Sequence, residues 1–269
     1  MGPKVCALNR MDYTIVIPSY KRQKVLQEKT LATLHKYKIP KDKIYVFVAN
    51  KEEYDIYKAA LDPSTYGHLI IGVPGLSAVR NFISNYFPKG KKLVNCDDDL
   101  RGFIEFDVKK KRHEKELVDL KGVIERGFKE CAVKGANLWG LYPSANGYFM
   151  KDTVSYDLKH IIGNFFGYIN FKNERHLTVT SGSKEDYERS LIFFKEDGVL
   201  VRLNFVAAKT AIYTTPGGLQ DGKRLQKAHK DVKGLMKKYP SFVFMNTRRK
   251  SPFPEISIKD KTRKVRPNK

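Results

Sequence analysis

Cysteine is scarce in this chain of 269 residues, which contains only Cys6, Cys96 and Cys131. These residues lie far apart, form no Cys-x-x-Cys pair and are odd in number. The pattern favours reduced thiols over a disulfide framework, and we therefore expect a cytoplasmic protein.

Long apolar runs are also missing, since no stretch of about 18 apolar residues occurs in the sequence. Residues 1–12 lack an apolar core of the length found in signal peptides. The sequence therefore predicts no membrane-spanning segment. This argues against enzymes of glycan or lipid synthesis that are anchored in a bilayer.

Acidic residues are few relative to basic ones: 29 Asp and Glu stand against 51 Lys and Arg, a formal net charge of +22. Such a one-sided excess is more than solubility needs and predicts an anionic partner. Nucleic acid is the first candidate and an acidic membrane surface the second, whereas a small phosphorylated ligand alone would not require so much charge. Candidate phosphate contacts lie in the basic clusters that contain Lys110, Lys111, Arg112, Arg248 and Arg249.

The N-terminal part of the chain alternates short apolar runs with amphipathic patterns. Apolar runs at 13–18, 44–49, 69–73 and 92–96 predict buried strands, and the patterns at 24–37, 52–61 and 76–87 predict helices. Strands that are apolar throughout and alternate with helices are typical of an α/β fold. We therefore expect a mostly parallel central sheet with helices on both faces.

The remainder of the chain is less regular. Residues 105–116 are densely charged and predict a loop or a helix start that faces solvent, and 117–134 predict an amphipathic helix. Residues 199–213 alternate like an antiparallel strand pair. No repeat or linker divides the body, so we expect one domain over 12–245, an N-terminal tail over 1–11 and a basic C-terminal tail over 246–269.

Negative charge is concentrated at one point, in the segment LVNCDDDL at 93–100. In open α/β sheets, ligands bind at the carboxyl ends of the strands, where these aspartates are predicted to lie. Asp97 and Asp99 are two residues apart, so in an extended segment both side chains point the same way. Such a pair can hold Mg²⁺ or Mn²⁺ against the phosphate oxygens of a substrate. A turn with solvated or helix-capping aspartates is the alternative.

Two further segments at the same predicted edge suit a phosphate-bearing ligand. PSYKR at 18–22 ends the first strand, and GLSAVRN at 75–81 begins the helix before the fourth. The first is either a basic loop or a nucleotide contact. The second is either a helix capped by Ser77 with Arg80 on the surface, or a helix N-terminus and an arginine that face a phosphate.

In this order, IVIPSYKR, GLSAVRN and CDDDL resemble the nucleotide-sugar glycosyltransferases of the GT-A fold, in particular family 2. The resemblance implies a Rossmann-like GT-A catalytic domain with a smaller antiparallel part toward the C-terminus. It also implies a UDP-sugar donor and a Mn²⁺ or Mg²⁺ ion held by Asp97 and Asp99. The implied donor contacts are Pro18, Ser19, Tyr20, Arg22, Asn50, Arg80, Asn81, Asp97, Asp98, Gly217 and Gly218. The family often has an acidic residue where Asn50 stands here.

Motifs in the second half of the chain resemble one group within these glycosyltransferases. LWGLYPSANGYFM at 138–150, IIGNFFGYINF at 161–171 and the segment from SGSKEDYERSL to TTPGGLQ resemble the TET/JBP-associated glycosyltransferases. These are phage and eukaryotic relatives of the base J glucosyltransferase. The resemblance covers about residues 12–239 and implies transfer of a sugar, with glucose expected, to 5-hydroxymethylcytosine or 5-hydroxymethyluracil in DNA. For a viral protein, the expected compartment is the host cytoplasm.

Glu185 and Asp186 match the Glu-Asp pair of these families. The resemblance implies an inverting transfer, in which a base removes the proton of the acceptor hydroxyl. By position Asp186 is the candidate base and Glu185 the second choice, although both also suit the first turn of a helix. Trp139, Tyr142 and Asn146 are the candidate acceptor contacts, with core packing as the alternative for the aromatic residues.

Three other functions remain open at this point. One is a family 2 transferase that acts on a protein, lipid or polysaccharide. Another is a DNA-binding module with a decayed transferase fold. The third is a nucleotidyltransferase, because its sheet and paired aspartates can look alike.

Overall fold

The computed structural model describes residues 11–110, 112–171, 178–210, 224–247 and 252–261. Its strands are β1 (Thr14–Pro18), β2 (Ile44–Val48), β3 (His68–Ile71), β4 (Lys92–Cys96), β5 (Leu100–Phe106), β6 (Glu114–Glu116), β7 (Leu138–Leu141), β8 (Val154–Ser155), β9 (Phe165–Ile169), β10 (Val201–Leu203), β11 (Val206–Thr210), β12 (Val243–Met245) and β13 (Ile256–Ile258).

Helix α1 (Gln23–Val25) continues through a π-helical segment (Leu26–Leu31) into α2 (Ala32–Lys36), and a short 3-10 helix (Lys41–Lys43) leads into β2. The other helices are α3 (Lys51–Ala60), α4 (Leu76–Tyr86), α5 (Leu120–Lys134), α6 (Glu185–Asp197) and α7 (Arg224–Lys238). Among these helices, none has the length and apolar character that crossing a membrane requires.

The central sheet has eight strands in the order β3-β2-β1-β4-β9-β7-β10-β8. Strands β1 to β4 pair in parallel, and β9 lies antiparallel between β4 and β7. One face packs on α2, α3 and α5, and the other on α4, α6 and α7. The predicted α/β class, with helices on both faces of a mostly parallel sheet, is therefore confirmed.

A second, antiparallel sheet with the order β11-β5-β6 begins directly after the aspartate cluster. The expectation of a loop or helix start over 105–116 was wrong, because this segment completes β5, turns and returns as β6. The three residues of β6 are all exposed, so its sequence shows no alternation between buried and exposed positions. The antiparallel part also draws its strands from the middle of the chain rather than from its C-terminal end alone.

The segment 199–213 does contain two strands, but they do not pair with each other. Strand β10 pairs with β7 and β8 in the central sheet, whereas β11 pairs with β5 in the second sheet. Asn204 sits at the turn between them and donates hydrogen bonds to Ser155 Oγ at 2.7 Å and Thr153 Oγ1 at 3.1 Å. This anchored turn moves the chain from one sheet to the other.

Trp139 lies in the core and not at an acceptor surface, which corrects its assignment as an acceptor contact. Its side chain is 0% exposed and packs edge-on against Phe128 and Phe165. Gly127 and Gly167 leave room for it: a Cβ atom at either position would lie within 2.3 Å of the indole ring. The indole therefore fills a space that two glycines create.

We expect Gly167→Ala to lower the free energy of unfolding by about 1–3 kcal/mol, because the added methyl group would overlap Trp139 Nε1. Trp139 is the only tryptophan of the chain, so its fluorescence reports thermal unfolding directly. Gly234→Ala on α7 is the control, since a Cβ there meets no atom within 4 Å and alanine favours the helix. Equal melting temperatures for the two variants would contradict this account of the core.

Candidate functional site

The aspartate cluster lies at the predicted place, the carboxyl end of β4 beside the parallel strand β1. The extended geometry expected for Asp97 and Asp99 was wrong, because β4 ends at Cys96 and residues 98 and 99 form a turn before β5. The loop after β1, the N-terminal part of α4 and the N-terminus of α6 meet it there. Asp97 N donates a hydrogen bond to the carbonyl oxygen of Asn164 at 2.9 Å, which ties the cluster to the segment before β9. These elements form one candidate active site.

Asp98 holds the loop after β1. Ser19 Oγ donates to its Oδ2 at 2.7 Å, and Arg22 Nη1 donates to its Oδ1 at 2.8 Å. The phenol oxygen of Tyr57 lies 2.8 Å from Ser19 Oγ and accepts a hydrogen bond from Arg22 N at 2.9 Å. Burial raises the pKa of Asp98 to about 6, although Ser19 and Arg22 act in the opposite direction. Both carboxylate oxygens of Asp98 therefore accept hydrogen bonds from this loop and fix its conformation.

Arg80, on α4, fixes the orientation of Asp97. Arg80 is 6% exposed and donates from Nη2 to Asp97 Oδ1 at 2.8 Å and to the carbonyl oxygen of Gly163 at 3.2 Å. Its other terminal nitrogen donates to Asn95. The alternative of a surface arginine at position 80 was therefore wrong. Its guanidinium is committed to orienting Asp97, whose own side chain remains 37% exposed.

Asp97 and Asp99 have the chemistry of a site for a hard divalent cation. Burial raises the pKa of both carboxyl groups, and the charge of Asp99 adds to the rise for Asp97. Asp99 Oδ2 lies 3.8 Å from Arg22 Nη1. No group of three metal-ligating side chains occurs among the described residues. The two carboxylates therefore fit a cation whose remaining ligands are substrate and water oxygens.

Glu185, the second choice for the base, is neutralised by arginines. It is 4% exposed, forms an ion pair with Arg189 one turn along α6, and has Oε1 3.8 Å from Arg80 Nε. Both guanidinium groups also lie over the ring of Phe166, at 5.6 Å for Arg80 and 4.1 Å for Arg189. This environment suits a fixed structural charge better than a proton acceptor.

Asp186 is more accessible and has a different partner. Its Oδ2 lies 2.9 Å from His160 Nε2, and its Oδ1 accepts a hydrogen bond from Tyr187 N at 2.9 Å. Burial alone would raise the pKa of Asp186, but His160, the Tyr187 amide and Lys184 together lower it. The carboxylate therefore stays ionised, as a base must. No sequence signal identifies His160, because its link to Asp186 spans 26 residues and follows no motif.

The predicted nucleotide contacts divide into exposed and structural residues. Tyr20 is 42% exposed, next to Lys21, which has a left-handed backbone (φ 55°). Asn50 caps α3 by accepting from Glu53 N at 2.9 Å, whereas Glu53 Oε2 accepts from Lys21 N. Glu53 is 5% exposed and therefore supports this loop from within the protein.

Pro18 closes β1, pairs with Phe47 of β2 and is half-buried. Asn81 bonds the backbone of Val179 at both ends of its amide, at 2.9 and 3.1 Å, and so fixes the chain that leads to α6. Gly217, Gly218, Lys111, Arg248 and Arg249 lie outside the described residues.

Two exposed aromatic rings lie between β7 and β8, beside the acceptor contacts expected above. Tyr148 and Phe149 are 56% and 55% exposed, with ring centroids 5.0 Å apart, and the guanidinium of Arg112 lies 5.1 Å above the Tyr148 ring. The exposed Asn146 accepts from Tyr148 N at 3.0 Å, which shapes this turn.

Two other predicted acceptor-side residues differ in exposure. Tyr142 is half-buried beneath Arg202. Lys110 is exposed at the turn between β5 and β6, close along the chain to Arg112. The exposed residues of these two turns therefore include Lys110, Arg112, Asn146, Tyr148 and Phe149.

Comparison with known proteins identifies the fold. No protein-family model and no curated protein matches the chain. The structure is similar to S. aureus TarS 1-349 in complex with UDP-GlcNAc, with a TM-score of 0.51 and 12% identity over 84% of this chain and 67% of that one. It is also similar to the mannosyltransferase PcManGT from Pyrobaculum calidifontis in complex with GDP-Man and Mn²⁺, with a TM-score of 0.53 and 14% identity.

The second match covers 85% of this chain and 64% of the mannosyltransferase, and the chain spans 40% of a longer TarS structure. These likenesses show that the chain has the GT-A fold, with its mixed central sheet and small antiparallel sheet. At such identities they establish the fold and leave the reaction to be inferred from the site.

Proposed function

We propose that the protein is a metal-dependent glycosyltransferase that moves a sugar from a UDP-sugar to the hydroxyl of a hydroxymethylated pyrimidine in DNA. One observation carries the transferase assignment: Arg80 bridges Asp97, at 2.8 Å, and Glu185, at 3.8 Å, the neighbour of Asp186. The candidate cation site therefore lies next to the first turn of α6, which also carries the candidate base Asp186.

The roles follow from this arrangement. Asp97 and Asp99 would hold Mn²⁺ or Mg²⁺, and the cation, when bound, stabilises the charge that develops on the departing UDP. Asp186 accepts the proton of the acceptor hydroxyl as that oxygen attacks the anomeric carbon. Attack from the face opposite the leaving group inverts the anomeric centre. TarS and the mannosyltransferase, which bind UDP-GlcNAc and GDP-Man in their structures, support a nucleotide-sugar donor.

The proposal of a DNA acceptor rests on charge and on aromatic surface. The net charge of +22 exceeds what a nucleotide-sugar alone requires. Tyr148 and Phe149 offer exposed rings on which bases can stack, next to the cations Lys110 and Arg112. Because a hydroxymethyl group on a pyrimidine projects into the major groove, the enzyme would reach it there, flip the base out or act on single strands.

A transfer assay tests this proposal. The protein is incubated with Mn²⁺, a panel of UDP-sugars and DNA that contains cytosine, 5-hydroxymethylcytosine or 5-hydroxymethyluracil, and digested nucleosides are read by mass. A hexose-sized gain on one modified nucleoside is the expected result. Release of UDP without such a gain would support a glycosyltransferase whose acceptor is a molecule other than this DNA. Absence of both would overturn the assignment in favour of a binding module.

We expect the affinity for DNA to fall steeply with salt, because log K falls by about 0.9 for each phosphate contact per tenfold rise in salt. The double variant Lys110→Glu, Arg112→Glu should bind more weakly and lower this slope by about two contacts. Lys58→Glu combined with Lys233→Glu is the matched control, since it removes the same charge from exposed positions on α3 and α7. Equal slopes for both double variants would show that this turn does not contact DNA.

A further inference from the structure

His160 lies between β8 and β9 and meets the first turn of α6. Its Nε2 is 2.9 Å from Asp186 Oδ2, while Tyr187 N holds Asp186 Oδ1, also at 2.9 Å. Both oxygens of the carboxyl group are therefore engaged, each from a different direction. Two such contacts leave the side chain with one orientation, whereas the Tyr187 amide alone would allow the outer oxygen to rotate.

The imidazole ring itself is fixed by stacking. It lies parallel to the ring of Tyr187, with centroids 3.9 Å apart and an interplanar angle of 9°. The chain next to His160 is attached to the same helix, because Ile161 N donates to Ser190 Oγ at 3.0 Å, and Ser190 Oγ donates to the carbonyl oxygen of Asp186 at 2.8 Å. The imidazole and the carboxylate thus form one rigid unit on α6.

We infer that His160 is a positioning residue for Asp186: its Nε2–H group holds the carboxylate in one orientation while Asp186 accepts the proton of the acceptor hydroxyl. The inference rests on the proposed function. In this step the hydroxyl O–H bond breaks and its proton goes to Asp186, the oxygen bonds to the anomeric carbon, and the bond from that carbon to UDP breaks. His160 keeps its own proton throughout.

The surroundings of Asp186 agree with this role. Burial acts to raise the pKa of the carboxyl group, and His160 is the first of the groups that lower it, ahead of the Tyr187 amide and Lys184. The nearest carboxylate along the helix, Glu185, is paired with Arg189. Loss of His160 would therefore raise the pKa of Asp186 and free one of its oxygens.

Two variants separate the hydrogen bond from the stacking. His160→Phe keeps an aromatic ring on Tyr187 but removes the donor, whereas His160→Gln keeps an amide donor without the ring. For His160→Phe we expect kcat to fall by about tenfold to a hundredfold, which is part of the 10²–10⁴ that a general base contributes. The acid limb of its pH profile should move to higher pH, the KM for UDP-sugar should not change, and His160→Gln should recover part of kcat.

An unchanged kcat and pH profile for His160→Phe would overturn the inference and leave His160 a packing residue. Failure of the proposed function is recognised separately, because the wild type would then release no UDP with any acceptor. In that case the carboxyl pKa of Asp186, followed by carbon NMR in the wild type and in His160→Phe, decides the matter. A rise in the variant supports the contact, and equal values overturn the inference.

Discussion

Asp186→Asn is expected to lower kcat for sugar transfer by about 10²–10⁴-fold, the usual contribution of a general base. The substitution removes the proposed base, and the neighbouring Glu185 is not expected to replace it because Arg189 and Arg80 neutralise its charge. Affinities for DNA and for UDP-sugar should stay within about twofold of the wild type, since an amide has almost the same shape as a carboxyl group. Single-turnover rates and binding isotherms measure the two effects separately.

Two controls sharpen this expectation. Glu196→Gln removes an exposed carboxylate from the same helix and should leave kcat unchanged. Glu185→Gln leaves the buried Arg189 without its partner, so its main effect should be a lower melting temperature, of the kind seen when one member of a buried ion pair is removed. A Glu185→Gln protein that is fully stable but inactive, beside an active Asp186→Asn protein, would exchange the roles of the two residues.

The pH dependence follows from the direction of the Asp186 shift. Because the pKa of this group is lowered, its carboxylate form persists as the pH falls and is lost only below the ordinary value for an aspartic acid. Transfer by the wild type should therefore not lose its base above about pH 4. If the fall in rate at low pH disappears in Asp186→Asn, that fall can be assigned to protonation of Asp186.

The parallel part of the fold could be predicted because its strands are buried on both faces. Strands such as β1 and β4 therefore read as apolar runs, with helical patterns between them. The second sheet gave no such signal. Strand β6 has no buried face, so the residues Glu114–Glu116 look like a solvent-exposed loop in the sequence. Its existence depends on pairing with β5, which only the folded chain shows.

The candidate site divides in the same way. Asp97, Asp98 and Asp99 are a local motif at the end of a predictable strand, so their position follows from the sequence. The partners of these residues come from distant segments: Arg22 contacts Asp98 across 76 residues, and Arg80 contacts Asp97 across 17. The burial of Arg80 could not be predicted, because it depends on how α4 packs on the sheet and the spacing of residues along α4 does not show this.

For Trp139 the prediction was wrong in the other direction: tryptophan is typical of binding surfaces, but this residue lies in the core. The glycines that make room for its indole are not its neighbours in sequence: Gly127 lies on α5 and Gly167 on the adjacent strand β9. The rings that are exposed, Tyr148 and Phe149, lie in a turn whose shape depends on Asn146 and on Glu114 of β6, which accepts from Gly147 N at 2.8 Å. Neither contact is encoded by spacing along one element.

Asp99→Asn is expected to reduce kcat/KM for the UDP-sugar by about 10³-fold or more, since electrostatic stabilisation of a leaving group is worth several kcal/mol. Asp99 is a better choice than Asp97 for this test. Substitution of Asp97 would also take away a partner of the buried Arg80. Asp99 lies 3.8 Å from Arg22, which retains its ion pair with Asp98 when Asp99 is replaced. Loss of activity in Asp99→Asn can therefore be assigned to the cation site.

Stability and function should separate in this variant. Asp99 is a buried carboxylate beside two others, and burial opposes its ionisation. A neutral amide should therefore keep the melting temperature the same or raise it. Titration of Mn²⁺ in the presence of UDP should show weaker binding by Asp99→Asn, and Asp107→Asn, which removes a half-buried carboxylate at the turn after β5, should bind as the wild type does. Wild-type Mn²⁺ affinity in Asp99→Asn would remove this residue from the cation site and leave Asp97 as the remaining carboxylate ligand. A fall in melting temperature with unchanged Mn²⁺ binding would instead make Asp99 a structural residue of the turn between β4 and β5.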